Sequence, residues 1–268
     1  MNIIGSVKED LDSEKRISIT LETSKKLKDL GFKVLIEEKY GEHLGVHDNE
    51  FKQADILKSS KEVLEQSDII LTVNFPSSNN INSFKEDSIL IGQFNPSDHN
   101  EDIQKLLKKN IKIFSLNLLP RITRAQSMDV LSSQANLAGY KAVIESFSLF
   151  GKAIPMMMTA AGTVPAAKVL VIGAGVAGLQ AIATAKRMGA IVFATDVRAA
   201  AKEQVESLGG KFLTVEGSEN LETEGGYAKE ASDEFKKKQE ELLSETLKKI
   251  DVVICTALIP GKKAPIII

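Results

Sequence analysis

Short apolar runs alternate with amphipathic stretches along almost the whole chain. Asn2 to Val7 reads as a strand, Thr20 to Leu30 as a helix closed by Gly31, and Lys33 to Ile36 as the next strand. Lys61 to Gln66 has a helical pattern. Ile69 to Val73 and Ile89 to Gln93 read as strands, Glu101 to Lys109 as a helix and Ile111 to Ser115 as a strand. Apolar strands of this length, joined through helices by short connections, predict a parallel sheet with helices on both faces.

The second half repeats the pattern. A helical stretch rich in Ala and Ser, from about Met128 to Phe150, joins the halves. Met156, Met157 and Met158 are expected to fill core space. Val169 to Ile172 and Ile191 to Ala194 read as strands around a helix from Val176 to Met188, which Gly189 ends. Then come a helix (Ala199 to Leu208), a strand (Lys211 to Val215), a polar loop (Glu216 to Gly226), a helix (Asp233 to Lys249) and a strand (Asp251 to Thr256). The expected architecture is α/β, with two Rossmann-like domains built on parallel sheets. They are an N-terminal Rossmann/flavodoxin-like domain over 1–127 and a dinucleotide-binding domain over 128–268. Four strands follow from Lys168 onward, with Ile266 to Ile268 at most the start of a fifth. A full dinucleotide-binding sheet has about six, so the expectation is that C-terminal residues of the second domain are missing.

Composition narrows the classes. The 268 residues carry a formal net charge of −2, with both signs interspersed, so nucleic acid is not an expected partner. The N-terminus has no signal-peptide layout, and no apolar run approaches the roughly 18–20 residues of a membrane span. A soluble chain is expected. The single cysteine, Cys255, lies in the apolar run from Val252 and reads as a small core residue; no disulfide can form within the chain. His43 and His47 are four apart but sit among Gly41, Gly45 and Asp48, which reads as loop, so they are expected as surface histidines rather than metal ligands.

The densest chemical signal begins where the strand at Val169 ends. Gly173, Gly175 and Gly178 have the G-x-G-x-x-G spacing, between a strand and a helix, and Asp196 ends the second strand. Gly173 permits the tight turn, Gly175 lets a pyrophosphate approach the backbone, and Gly178 lets helix and strand pack closely. The helix start, Val176 and Ala177, offers free N–H groups and a partial positive charge to phosphates. A carboxylate at Asp196 can accept hydrogen bonds from a ribose 2′-OH and repels a 2′-phosphate, which favours NAD(H) over NADP(H). Arg198 is the counter-signal, because an arginine there can accommodate that phosphate. A plain strand–turn–helix corner is the alternative.

Between the halves lies Pro120-Arg-Ile-Thr-Arg-Ala-Gln-Ser-Met-Asp129, a polar loop entering a helix. Arg121, Gln126 and Asp129 are spaced so that a compact turn could converge them on one ligand; a capped helix start with solvated charges explains the same spacing.

This loop resembles the signature loop of the NAD(H)-binding component, the alpha subunit, of proton-translocating NAD(P) transhydrogenases. The likeness covers essentially the whole chain. It includes Ser132 and Ser133, the glycine fingerprint through Asp196-Val197-Arg198, Gly225-Gly-Tyr-Ala-Lys229 and Thr256-Ala-Leu-Ile-Pro-Gly261. The resemblance implies that Arg121, Gln126 and Asp129 contact the nicotinamide and its ribose. Ser127, Met128, Ser132, Val176, Ala177, Val197, Arg198, Gly226, Tyr227, Thr256, Ala257 and Leu258 then join the cofactor-binding set. It also implies a mobile loop around Tyr227 within Glu216 to Ser232, for which a disordered insertion is the alternative. The partners it implies are an NADP(H)-binding domain, a membrane-spanning proton-channel domain and a second copy in a homodimer, with the chain at the cytoplasmic or equivalent face of a membrane. Alanine dehydrogenase is the relative with different chemistry. Where it uses a Lys and a His, this chain has Asn74 and Asn95, which cannot act as general acid or base near pH 7; Arg16 resembles its substrate-carboxylate arginine. An alanine-type dehydrogenase and a non-catalytic NAD-sensing module are therefore the rival expectations.

Overall fold

Val34, Leu35 and Ile36 are all buried although neighbouring strand residues point to opposite faces. A sheet buried on both sides needs helices on both sides, and the chain supplies them. The computed structural model describes residues 2–120, 122–215, 233–258, 264 and 266–268. It divides into two compact units, Met1–Val130 and Leu131–Ile268.

In the first unit β1 (Ile3–Ser6), β2 (Lys33–Glu37), β3 (Asp55–Leu57), β4 (Ile69–Leu71), β5 (Ile89–Gly92) and β6 (Lys112–Ser115) form one sheet in the order β3-β2-β1-β4-β5-β6. All its pairings are parallel, with Ile4 beside both Val34 and Ile69. Three helices connect these strands: α1 (Leu21–Asp29), α2 (Ser60–Gln66) and α3 (Asn100–Lys108). Thr20 and Ser59 cap α1 and α2 by accepting from the Thr23 and Glu62 amides. One face of the sheet packs Leu35, Ile70 and Leu90 with Val63, Leu64 and Leu106; the other packs Ile4, Val34 and Ile36 with Ile19, Tyr40 and Phe51. Each such side chain stabilises by about 1.5–3 kcal/mol when fully buried.

The Tyr40 hydroxyl is the polar centre of that second face. It accepts from the Ser18 and Ile19 amides, both at 3.1 Å, and lies 2.7 Å from the Ser6 hydroxyl. Ser6 and Ser18 in turn donate to the Leu71 carbonyl. Buried polar groups are tolerable when satisfied in this way.

The second unit contains α4 (Val130–Leu149, which starts at the unit boundary), a hairpin of β7 (Met157–Thr159) and β8 (Gly162–Val164), then β9 (Lys168–Ile172), α5 (Val176–Arg187), β10 (Ile191–Thr195), α6 (Ala201–Ser207), β11 (Lys211–Phe212), α7 (Asp233–Leu247) and β12 (Val252–Cys255). Its parallel sheet has the order β11-β10-β9-β12. Val169 and Val171 face Val143 and Phe147 of α4 and Ala181, Ile182 and Ala185 of α5, whereas Leu170 and Ile172 face Leu243 of α7. No helix among the described residues is long and apolar enough to cross a membrane.

Three expectations fail. Met156, Met157 and Met158 do not fill the core: they are exposed, the last two on the β7–β8 hairpin. Gly162 at φ +134° helps turn this hairpin back on itself, and its methionines join neither core cluster of the second unit. Cys255 is exposed: it is the last residue of β12, which stands at the end of the sheet order among the described residues. The strand expected over Lys211 to Val215 pairs only at Lys211 and Phe212. The short edge strand β3 was not expected, since Asp55-Ile-Leu57 is too brief to show alternation.

Candidate functional site

The turn after β9 is built by contacts that leave no room for side chains. Gly173 has φ +93°, a conformation glycine adopts without strain. A Cβ on Gly178 would lie 1.8 Å from the Gly173 carbonyl oxygen, so only glycine lets α5 start this close to the strand. The Thr256 hydroxyl donates to the same carbonyl at 2.8 Å, fastening the residue after β12 to the turn. Gly175 differs: a Cβ there would meet nothing within 4 Å among the described residues. Its lack of a side chain is not required by the fold, and it leaves the approach to the helix start open. Gly175 is also the N-cap of α5, and no side chain among the described residues caps that helix. The backbone donors of its first turn and the positive end of its dipole suit an anionic group.

Asp196 closes the site at the end of β10. Its side chain is 7% exposed. One carboxylate oxygen accepts from the Ala174 amide at 2.6 Å, within the glycine turn, and from the Arg198 Nη2 at 3.0 Å; the other accepts from the Arg198 amide and Nε, both at 2.9 Å. Burial pushes this carboxyl upward, but the bonds from Arg198 and Ala174 outweigh it and hold the group below the usual carboxylate range. Val197 is half-buried, Val176 and Leu258 are exposed, and Ala177, Thr256 and Ala257 are half-buried. Gly173, Ala174, Gly178, Asp196, Arg198, Thr256 and Ala257 therefore share one neighbourhood.

In the first unit Thr123–Met128 forms a 3-10 helix, and the Asp129 amide donates to the Gln126 carbonyl at 3.2 Å. Gln126 lies in that helix and Asp129 is its C-cap; Gln126, Ser127 and Met128 are exposed and Asp129 is half-buried. Ser132 lies in the first turn of α4. Arg121, Gly226, Tyr227 and the expected mobile loop lie outside the described residues.

The carboxyl ends of the first sheet hold a different set. Glu9 accepts from the Val73 amide at 2.6 Å and the Asn74 amide at 3.3 Å; burial outweighs those bonds and raises its carboxyl above the usual range. Arg16 forks onto Glu14, Nε to one oxygen at 2.9 Å and Nη2 to the other at 2.7 Å, and Nη1 reaches Gln93 at 3.4 Å. That pairing holds the Glu14 carboxyl below its usual range. Asn95 donates to Asp98 at 3.3 Å. His43 lies 2.8 Å from the Lys15 carbonyl, and no group of three metal-ligating side chains occurs among the described residues. A hollow of about 380 Å³ beside β6, lined by Pro96, Ile103, Leu107 and Leu118 among others, contains none of the expected site residues.

Sequence reasoning missed Gly139. A Cβ there would lie 2.0 Å from the Ala177 carbonyl, so α4 packs directly on the first turn of α5. A lone glycine within a helical pattern was the available signal. Glu9 gave none, because its partners lie far along the chain.

Comparison with known proteins agrees with this architecture. Residues 5–138 match the family "Alanine dehydrogenase/PNT, N-terminal domain" and residues 142–268 its C-terminal counterpart. An NAD(P) transhydrogenase alpha-subunit protein of Rhodospirillum rubrum is 50% identical over 274 aligned residues, which cover 99% of this chain and 71% of that protein. The crystal structure of a transhydrogenase from Sinorhizobium meliloti superposes with a TM-score of 0.85 at 45% identity, covering 98% of this chain and 72% of that one. An alanine dehydrogenase of Methanococcus maripaludis is more distant, 26% identical over 98% of this chain and 66% of its own length. The chain belongs to the alanine dehydrogenase/PNT family, on its NAD(P) transhydrogenase alpha-subunit side.

Proposed function

We propose that this chain is the NAD(H)-binding component of a proton-translocating NAD(P) transhydrogenase. The observation that carries the reading is the turn at Gly173–Gly178: an uncapped helix start, an open Gly175 and a buried carboxylate at Asp196 beside it. These residues fit a dinucleotide. The α5 amides would take the pyrophosphate, and Asp196, with Val197, the adenosine ribose, beside the Arg198 guanidinium. Gly226, Tyr227, Thr256, Ala257 and Leu258 complete that end. Arg121, Gln126 and Asp129, with Ser127, Met128 and Ser132, would orient the nicotinamide end. When bound, NAD(H) supplies the hydride that passes to NADP⁺ held by a partner domain.

The chain's own work is positioning. Its amides hold the phosphates, and the Gln126 amide fixes the carboxamide so that the ring presents one face. Asn74 and Asn95 offer no proton-transfer group, which disfavours an amino-acid dehydrogenase. The partners in this reading are an NADP(H)-binding domain, a membrane-spanning proton-channel domain that keeps the chain at the cytoplasmic or equivalent face, and a second copy in a homodimer.

The test is reconstitution of this chain with an NADP(H)-binding domain. Hydride exchange between the two nucleotide pools is expected; alanine oxidation by the chain alone would replace this reading with the dehydrogenase, and NADH binding with neither reaction would leave a sensing module. Within that assay Gln126→Ala should lower the single-turnover transfer rate by roughly tenfold or more while changing NADH affinity little, because an interaction realised in the aligned geometry appears in rate. Lost binding with a normal rate would show that the loop anchors the nucleotide instead.

A further inference from the structure

A carboxylate has about four lone-pair positions for hydrogen bonds, and Asp196 uses four. Two donors are main-chain amides, those of Ala174 and Arg198, and their places are set by the turn and by the end of β10. The other two are Nε and Nη2 of the Arg198 guanidinium, at 2.9 and 3.0 Å. That fork is itself sheltered, with the Arg198 side chain 19% exposed. A ligand hydroxyl can therefore reach Asp196 only by replacing a donor, and the donors on a rotatable side chain are the ones that can leave.

We propose that Arg198 is a specificity-determining latch: its guanidinium occupies Asp196 in the free protein, a ribose diol displaces it, and its charge sets how strongly a 2′-phosphate is excluded. This rests on the NAD(H) reading and deepens it. Displacement makes part of the ribose contact an exchange of hydrogen bonds rather than a gain, so the latch weakens NADH binding. The retained positive charge also offsets the repulsion between Asp196 and a 2′-phosphate. A bare aspartate would bind NADH more tightly and reject NADPH more completely; the fork tempers both.

The experiment is equilibrium titration of the full chain with NADH and with NADPH, beside thermal melts with and without each nucleotide. In Arg198→Ala the NADH affinity should rise about three- to tenfold, because the ribose then repairs a carboxylate left with two donors. The ratio of NADH to NADPH affinity should widen by roughly tenfold or more. The apo melting temperature should fall, and the NADH-induced rise should exceed the wild-type rise. Arg198→Lys keeps the charge but cannot fork both oxygens; its ratio should stay near wild type while its NADH affinity rises. It decides the matter if Arg198→Ala does not fold. Equal weakening of both nucleotides in either variant, with the ratio unchanged, would overturn the latch and leave Arg198 an ordinary contact. A wild-type chain that binds neither nucleotide overturns the NAD(H) reading and the latch with it, whereas a wild type that binds NADH beside variants of unaltered behaviour overturns the latch alone.

Discussion

The two sheets are wound alike and finished differently. Counting strands within each parallel sheet, the first runs 3-2-1-4-5-6 and the second 3-2-1-4, so both reverse direction beside their own first strand. Ligands of open α/β sheets bind at that reversal. In the second unit β9 passes through Gly173 to Gly175 straight into α5, and backbone donors face the opening. In the first unit residues 7–20 separate β1 from α1, and the crevice is occupied by the protein's own side chains: Glu9 on the amides after β4, Arg16 on Glu14 and Gln93. The same winding thus yields, among the described residues, a helix start without a side-chain cap in one unit and a crevice lined by paired side chains in the other. The turn, rather than the winding, sets the two apart.

The harshest way to break this contrast is Gly178→Ala. Its Cβ would stand 1.8 Å from the Gly173 oxygen, a backbone atom that cannot move without the turn. We expect a loss of about 3 kcal/mol or more in the stability of the second unit, read by denaturant melts. A variant as stable as wild type would mean that the turn is slack and the contrast overstated. Gly175→Ala cuts more finely. Nothing among the described residues stands within 4 Å of the new methyl, and the backbone there, at φ −76°, suits alanine. Stability should change by less than about 0.5 kcal/mol, yet NADH affinity should fall by roughly ten- to a hundredfold, since the methyl fills the approach to the phosphate-binding amides. Unchanged affinity would remove Gly175 from the site.

The smallest effect belongs to the first unit's crevice. Burial raises the Glu9 carboxyl above its value in an unfolded chain, so the folded state takes up a proton more readily there. Stability from this group therefore grows as pH falls from the raised value toward the ordinary carboxylate range, and it is lost as pH rises through the raised value. Glu9→Gln should flatten that part of the melting-temperature profile relative to wild type, with NADH binding unaltered. A parallel profile would show that Glu9 does not titrate differently in the folded state.

The central strands were legible in the sequence because both faces of each sheet are covered, which makes β2 and β9 unbroken apolar runs. β3 and the β7–β8 hairpin were not, since one is a three-residue edge and the other carries its methionines away from the core. The glycine turn and Asp196 were legible for a related reason: they encode backbone geometry within one short stretch. The sequence Asp-Val-Arg puts Arg198 near Asp196 but says nothing of the fork between them. The closure of the first crevice was hidden entirely, because Glu9 meets Val73 and Tyr40 meets Ser18 only after the chain has folded.

The Tyr40 hydroxyl has a consequence for chain entropy. Residues 7–20 have the length of a loose excursion, and closing a free loop costs more as its length grows. Here the excursion is fastened at Glu9 by two amides beyond β4, at Arg16 by Gln93, and at Ser18 and Ile19 by one phenol oxygen. No long span is left between anchors. A connection that could have been the slackest part of the first unit is held instead as part of its frame, and its ordering is shared among contacts that also line the crevice.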